Sequence, residues 1–485
     1  MQRYIITALT SFLLLIQSGC SVNPVSGQQD FVLMSEDQEL ALGRKYHAEI
    51  INEYGRYNDP ELAAYVQRIG DEVAEKSHRN DLVYRFTVLD SPEVNAFALP
   101  GGYIYITRGI LAYLNSEAEL AAVLGHEIGH VTARHSVRRH STETVTGILG
   151  GILASQTGIQ VAGDAVNLLG TALVRGYGRE HELEADRLGA EYLARSGYNP
   201  KAMTDIVHVL KDQEEFEKEL AQVENRKAHS YHGLFSTHPA NDTRLQNIIR
   251  ESKKFLDTAN LRPDNRDLYL KQIDGLMFGE KAKEGFLRGR HFYHADLDFT
   301  VQFPQGWRVK NHPERLLATA PGNDGLLEVS VHDRNRRISP EAFMQKRMQL
   351  DDLRSGESFT HHGMQGFTAI ADADTEYGKR PARFTVIYKV DRAYVIAGTA
   401  KSANQPYKYD DAILSTARSF RGLTDEEWQK MEPLRLRVKT SSGEKFASLA
   451  EHSSLNHLAE SQLRLLNARY PSGEPAYGSL IKIVE

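Results

Sequence analysis

The sequence predicts an α+β protein in three parts: a mainly helical domain, a small α+β domain and a short β–α–α–β unit. Three observations carry this reading. The chain has 485 residues, room for about three domains at roughly 150 residues each. Apolar residues recur at helical spacing between Ser116 and about Phe255. From about 285 to 421 the pattern changes to strand-like alternation, and a smaller unit follows from 435.

Composition sets outer limits. The 58 Lys+Arg against 64 Asp+Glu leave a net charge of −6, which excludes a nucleic-acid protein held by a general basic field. Hydrophobic residues at 41% and charged residues at 25% describe an ordinary globular chain. The single cysteine excludes an intrachain disulfide framework.

Residues 1–19 have the form of an export signal, with Arg3 before a mostly apolar stretch from Tyr4 to Ile16. That stretch is too short for a spanning helix of about 20 residues. Gln17-Ser18-Gly19-Cys20 resembles a bacterial lipoprotein processing site, although Gln17 departs from the usual Leu. The resemblance implies a lipid on Cys20, and buried acyl chains anchor a protein without a spanning helix. Ser21 follows the cysteine where Asp would suggest inner-membrane retention. For a Gram-negative source this implies the periplasmic side of the outer membrane.

Residues 20–34 form a polar tether, and the helical domain covers 35–256. Ser35 with Gln38 reads as a capping box. A second helix follows Asp59-Pro60, with Leu62, Tyr65, Val66 and Ile69 on one face. Tyr84, Phe86 and Val88 alternate as in a strand, and Asn95–Leu99 and Tyr103–Thr107 flank the turn Pro100-Gly101-Gly102. Ser116 with Glu119 reads as a second capping box. Val145–Val174 holds one charge, Asp164, and six glycines, and reads as two short helices in a hairpin near the cleft. A linker occupies 257–284.

The second domain, 285–422, shows alternation at Leu297, Phe299, Val301 and Phe303 and at Leu327, Val329 and Val331. Runs Phe384–Val390 and Ala393–Ala397 surround a hairpin turn, and helices fit Glu341–Leu353 and Asp410–Phe420. Phe303-Pro304-Gln305-Gly306-Trp307 faintly resembles the PsbP/Mog1-type fold. The last unit, 423–485, weakly resembles a LysM module through Leu436-Arg437-Val438, Gly443–Ala450 and Gly478–Ile483.

The chemistry lies between His126 and Glu182. His126-Glu127-Ile128-Gly129-His130 is H-E-x-x-H. On a helix the two histidines stand one turn apart, face the same way and can bind one zinc ion. Glu127 lies beside them and can take a proton from a water held by that metal. Ala133 and Ser136 exclude the extended metzincin pattern. In Glu182-Leu183-Glu184-Ala185-Asp186, Glu182 and Asp186 share a helix face. Glu182 can be the third ligand and Asp186 can orient a ligand histidine. Glu184 points elsewhere and reads as a solvated charge.

Four features in order resemble the zinc metallopeptidase family of the CAAX prenyl protease, the HtpX heat-shock protease and the BepA-type periplasmic lipoproteins. They are Asn95-Ala96-Phe97-Ala98-Leu99-Pro100-Gly101-Gly102, His126–His130, Glu182–Asp186, and Thr237-His238-Pro239 with Arg244. The resemblance covers about 35–255 and implies a gluzincin-type zincin fold. It also implies His126, His130 and Glu182 as zinc ligands, Glu127 as base and Asp186 as their support. Gly178-Arg179 replaces the Ser-Arg common before the third ligand. Asn95, Ala96, Phe97 and Ala98 would offer a strand edge to an extended peptide. His238 could occupy the open zinc position at rest or stabilise the oxyanion, and Arg244 is a second candidate for the latter role.

The expected protein is therefore a lipid-anchored zinc metalloendopeptidase that cleaves misfolded or stalled cell-envelope proteins. Its expected partners are unfolded envelope proteins, the membrane through Cys20, and peptidoglycan or an assembly complex through the last unit. A zinc-binding chaperone or scaffold and a cell-wall hydrolase are the alternatives.

Overall fold

The computed structural model describes residues 20–141, 177–223, 242–256, 261–279, 285–312, 314–334, 337–429, 433–455 and 458–485. The chain divides into two compact units. One holds the chain as far as Phe278 and again Leu434–Glu485; the other holds Gly279–Pro433. The export signal, the Val145–Val174 segment and His238 lie outside the described residues. Among those described, no helix is long and apolar enough to cross a membrane.

The first unit begins with β1 (Cys20–Val22) paired antiparallel to β2 (Gln29–Phe31). Helix α1 (Glu36–Tyr54) opens with the expected reciprocal box between Ser35 and Gln38. Helix α2 (Pro60–Ala74) is capped by the Asp59 carboxylate, which accepts from the Leu62 N–H. It buries Leu62, Tyr65, Val66, Ile69 and Val73, the repeat of one helix face.

Three strands follow: β3 (Arg85–Leu89), β4 (Ala96–Leu99) and β5 (Tyr103–Thr107). Their order is β3-β5-β4, with β3 parallel and β4 antiparallel to β5. Strand β4 is thus an edge. The turn between β4 and β5 needs its glycines: Gly101 and Gly102 have φ of 79° and 82°, values open mainly to glycine.

Helix α3 (Arg108–Tyr113) leads into α4 (Glu117–Thr132), which carries H-E-x-x-H and is buried along its whole length. The Ser116 hydroxyl caps α4 by accepting from the Glu119 N–H. The expected box is only half formed there, because the Glu119 carboxylate accepts from Asn115 N–H, one residue earlier. Against α4 pack α5 (Arg179–Arg195), α6 (Ala202–Val223) and, beyond α7 (Asp242–Leu256), which lies on α5 and α6, also α8 (Arg266–Gln272).

The second unit contains β6 (Phe286–Arg288), β7 (His291–His294) and β8 (Phe299–Gln302) as one antiparallel sheet. A larger sheet comprises β9 (Arg308–Asn311), β10 (Arg315–Thr319), β11 (Gly325–Asp333), β12 (Arg354–His361), β13 (Met364–Thr375), β14 (Gly378–Lys389) and β15 (Arg392–Ala400), ordered β12-β13-β14-β15-β11-β10-β9. Both faces of β14 and β15 are buried. Ile387, Tyr394 and Ile396 join one core, whereas Phe384, Val386, Tyr388 and Val395 join another. This double burial explains the consecutive apolar residues Val386-Ile387-Tyr388 in β14.

Helix α9 (Pro340–Lys346) is shorter than the expected Glu341–Leu353. The helix ends at Lys346, and left-handed φ values of 55° and 50° at Gln349 and Asp352 keep the residues beyond from resuming it. Met348, Leu350 and Leu353 still pack on the sheet, from a loop. Helices α10 (Asp410–Ser419) and α11 (Asp425–Gln429) complete the unit.

The chain then returns to the first unit as β16 (Leu436–Thr440), α12 (Phe446–Glu451), α13 (Ala459–Leu466) and β17 (Leu480–Val484), with β16 antiparallel to β17. Leu436, Phe446, Leu463 and Val484 share one core with Val66, Leu120 and Tyr269. Lys482 is fully buried, and its ammonium donates to the Ala112 and Leu114 carbonyls at 2.7 Å each. Those carbonyls lie just before the cap of α4.

Candidate active site

Helices α4 and α5 cross at close range because glycines face the crossing. A Cβ on Gly129 would stand 3.0 Å from the Ala185 carbonyl oxygen and 3.1 Å from its Cα. A Cβ on Gly189 would meet the His126 backbone nitrogen at 3.1 Å. We expect Gly129→Ala to push the helices apart, destabilise the protein by about 1–3 kcal/mol and lower zinc affinity. Denaturant unfolding and zinc content measure the two effects.

This approach brings His126, His130 and Glu182 together, with one ligand atom from each within 4.8 Å of the others. The two Nε2 atoms face each other at 3.0 Å. Each lies 3.6 Å from a different oxygen of Glu182. Tetrahedral ligands at about 2.0–2.1 Å from zinc stand about 3.3 Å apart, so the donor set fits that ion. Glu127 is completely buried beside them, close enough for its charge to act on Tyr177 and Arg244.

The outer partners set both tautomers. His126 Nδ1 lies 3.0 Å from Asp186 Oδ1, and a carboxylate only accepts, so Nδ1 carries the proton and Nε2 keeps its lone pair. His135 Nε2 donates to Glu184 at 3.1 Å, so its Nδ1 accepts from His130 Nδ1 at 2.8 Å. That again leaves a lone pair on His130 Nε2. Burial keeps His135 neutral by lowering its pKa despite Glu184. The His135 hydrogen bond in turn holds Glu184 down at about 2. Glu184 is therefore tied to His135 and to Arg138, 3.1 Å away, rather than a solvated charge.

Charge at the site calls for a cation. Burial pulls the His126 imidazole down, yet Asp186 and Glu182 outweigh it and push it up to about 10. A metal ion held by His126, His130 and Glu182 would answer the same carboxylates in place of that proton. Burial raises Asp186, but Arg244 and His126 reverse this and hold it below its ordinary value. Arg244, from α7, donates through Nε and Nη2 to Asp186 at 2.8 and 2.6 Å, and its Nη1 lies 2.9 Å from Glu182.

Sequence periodicity missed Tyr177, which stacks on His130 with ring centroids 3.9 Å apart and donates to or accepts from Ser136 at 2.6 Å. It also missed His181, stacked on His135. No local pattern marks a tyrosine 47 positions from the histidine it covers. A narrow apolar recess beside His126, Glu127 and Arg244 is walled by Val123, Val207 and Leu210. Asn95, Ala96 and Ala98 are buried along β4, with Phe97 partly exposed.

The model of Peptidase family M48 matches residues 60–252. The chain is 30% identical over 359 residues to the beta-barrel assembly-enhancing protease of Yersinia pestis, covering 67% of this chain and 71% of that protein. The chain belongs to peptidase family M48. It is a zinc metalloprotease. This M48 chain is also 30% identical to the beta-barrel assembly-enhancing protease of Escherichia coli (strain K12), of which it spans 63%, less than two thirds, using 61% of its own length. It is 28% identical over 251 residues to the mitochondrial metalloendopeptidase OMA1 of Schizosaccharomyces pombe, covering 51% of this chain and 69% of that one.

Proposed function

We propose that this M48 protease is a lipid-anchored endopeptidase of the bacterial envelope that cleaves misfolded or stalled envelope proteins. The observation that carries the chemistry is the pair of Nε2 atoms 3.0 Å apart above Glu182, with Glu127 buried beside them. His126, His130 and Glu182 hold the metal. When bound, zinc polarises the scissile carbonyl and lowers the pKa of water to about 7. Glu127 accepts the proton of the attacking water and returns it to the leaving amine. Asp186 and the His135–Glu184 pair hold the ligand imidazoles in the binding tautomer.

Arg244 takes a positioning role in place of the expected oxyanion contact, because Nε, Nη1 and Nη2 all face Asp186 or Glu182. The edge strand β4, with Asn95, Ala96, Phe97 and Ala98, pairs with the substrate backbone largely without regard to its sequence. The apolar recess suits an apolar substrate side chain.

The names of the Yersinia pestis and Escherichia coli relatives, beta-barrel assembly-enhancing proteases, support the envelope assignment, as does the Cys20 processing pattern. The order of elements in Leu434–Glu485 supports a LysM-like docking role toward peptidoglycan or an assembly complex. Purified protein should cleave unfolded casein, lose this with a zinc chelator and regain it with zinc, and leave peptidoglycan intact. Uncut casein in the presence of stoichiometric zinc would overturn the reading, and cut peptidoglycan would redirect it to the cell wall.

Cys20→Ala should release the protein from membranes to the soluble periplasm and abolish palmitate labelling; retention after a high-salt wash would count against a sole lipid anchor. His238 acts either as a resting occupant of the open zinc position or as an oxyanion donor. His238→Ala raises basal casein cleavage in the first case and lowers it in the second.

A further inference from the structure

The second unit holds a cavity of about 250 Å3 that proteolysis does not use. His291 and Thr300 reach it from β7 and β8, His361 and His362 from the end of β12 and its turn, and Arg418 and Arg421 from the end of α10 and beyond. None of its lining residues is a carboxylate.

Two buried polar atoms there lack partners. Thr300 is 1% exposed with its hydroxyl unpaired, and His361 Nε2 is likewise buried without a hydrogen bond. Buried polar groups are nearly always satisfied, so both mark a place for a ligand. Arg421 is already paired with Glu427 through two contacts of 2.7 Å, whereas Arg418 has no ion pair among the described residues.

The turn after β12 presents His361 and His362 side by side, ring centroids 4.1 Å apart, with His362 at a left-handed φ of 48°. Burial, then Arg290 and Arg421, lowers the His291 pKa; burial, then His362, lowers that of His361. Among the described residues the metal-ready cluster is His126, His130 and Glu182, not these histidines.

We infer that this recess binds a phosphate-type oxyanion, free or as the phosphomonoester of a lipid headgroup, through Arg418, the Thr300 hydroxyl and the His362 imidazole. A guanidinium and neutral donors around a carboxylate-free recess suit that chemistry.

The test uses the full chain with Cys20→Ala, so that no lipid anchor interferes. Calorimetric titration with inorganic phosphate should saturate. Arg418→Gln, at an exposed position that does not threaten folding, and Thr300→Val should each weaken binding about tenfold or more, as loss of a hydrogen bond to a charged group predicts. Lys271→Gln, in the first unit, should leave it unchanged. Vesicles of phosphatidylcholine with phosphatidic acid separate the sources: Arg418-dependent sedimentation assigns a lipid headgroup, and phosphate binding without it assigns the free ion. No saturation by phosphate, or unchanged affinity in either variant, overturns the proposal. So does a second zinc equivalent that His361→Asn removes.

Discussion

Glu127→Gln protein is expected to keep its zinc and to cleave casein about 10²–10⁴-fold more slowly, the usual contribution of a general base. The substitution preserves volume, so the helix α4 packing and the facing Nε2 atoms of His126 and His130 are retained. What it removes is an oxygen able to take a proton in a fully buried place. Zinc content by atomic absorption and initial rates of casein cleavage give both readouts. Activity within a few-fold of wild type would sink the mechanism. Loss of zinc would move Glu127 into the group that binds the metal.

Arg244→Met is expected to cost about 3–5 kcal/mol of stability, because it strands two buried carboxylates. Asp186 and Glu182 both lie against the guanidinium, and both are almost fully buried. Without that charge Asp186 loses its strongest reason to stay ionised, and the hydrogen bond that orients His126 weakens with it. Zinc affinity should therefore fall together with the denaturant midpoint. An oxyanion donor would behave differently: the turnover number would drop while stability and zinc content stayed at wild-type values.

The metal-binding set was legible because it obeys helix periodicity twice. His126 and His130, and Glu182 and Asp186, are each one turn apart. Of the partners that set the tautomers, Asp186 was legible from its place one turn after Glu182, whereas the His135–Glu184 pair was not. His135 and Glu184 meet across 49 positions, and neither has a spacing that distinguishes it from a surface residue. Arg244 stood out only by its place after Thr237-His238-Pro239, and its contacts with Asp186 span 58 positions.

Strand alternation revealed β8, β11, β14 and β15, where apolar residues meet a core. It missed β12, whose residues are mostly exposed. The apolar residues at Met348, Leu350 and Leu353 suggested a longer helix because a loop draped on a sheet can present similar spacing. Nothing in the periodicity of Leu436–Val484 told that its apolar side chains enter the core around Leu120.

The chain leaves the first unit at Phe278 and re-enters it at Leu434, where an isolated β-bridge joins Met277 to Arg435. The second unit is thus an insertion between two neighbouring strands of backbone. This has a temporal consequence. As the chain emerges in order, the segment bearing Lys482 follows all of the inserted unit, so the carbonyls of Ala112 and Leu114 are without that ammonium until it appears. The helix that presents His126 and His130 gains that buried neighbour before its N-terminus only then.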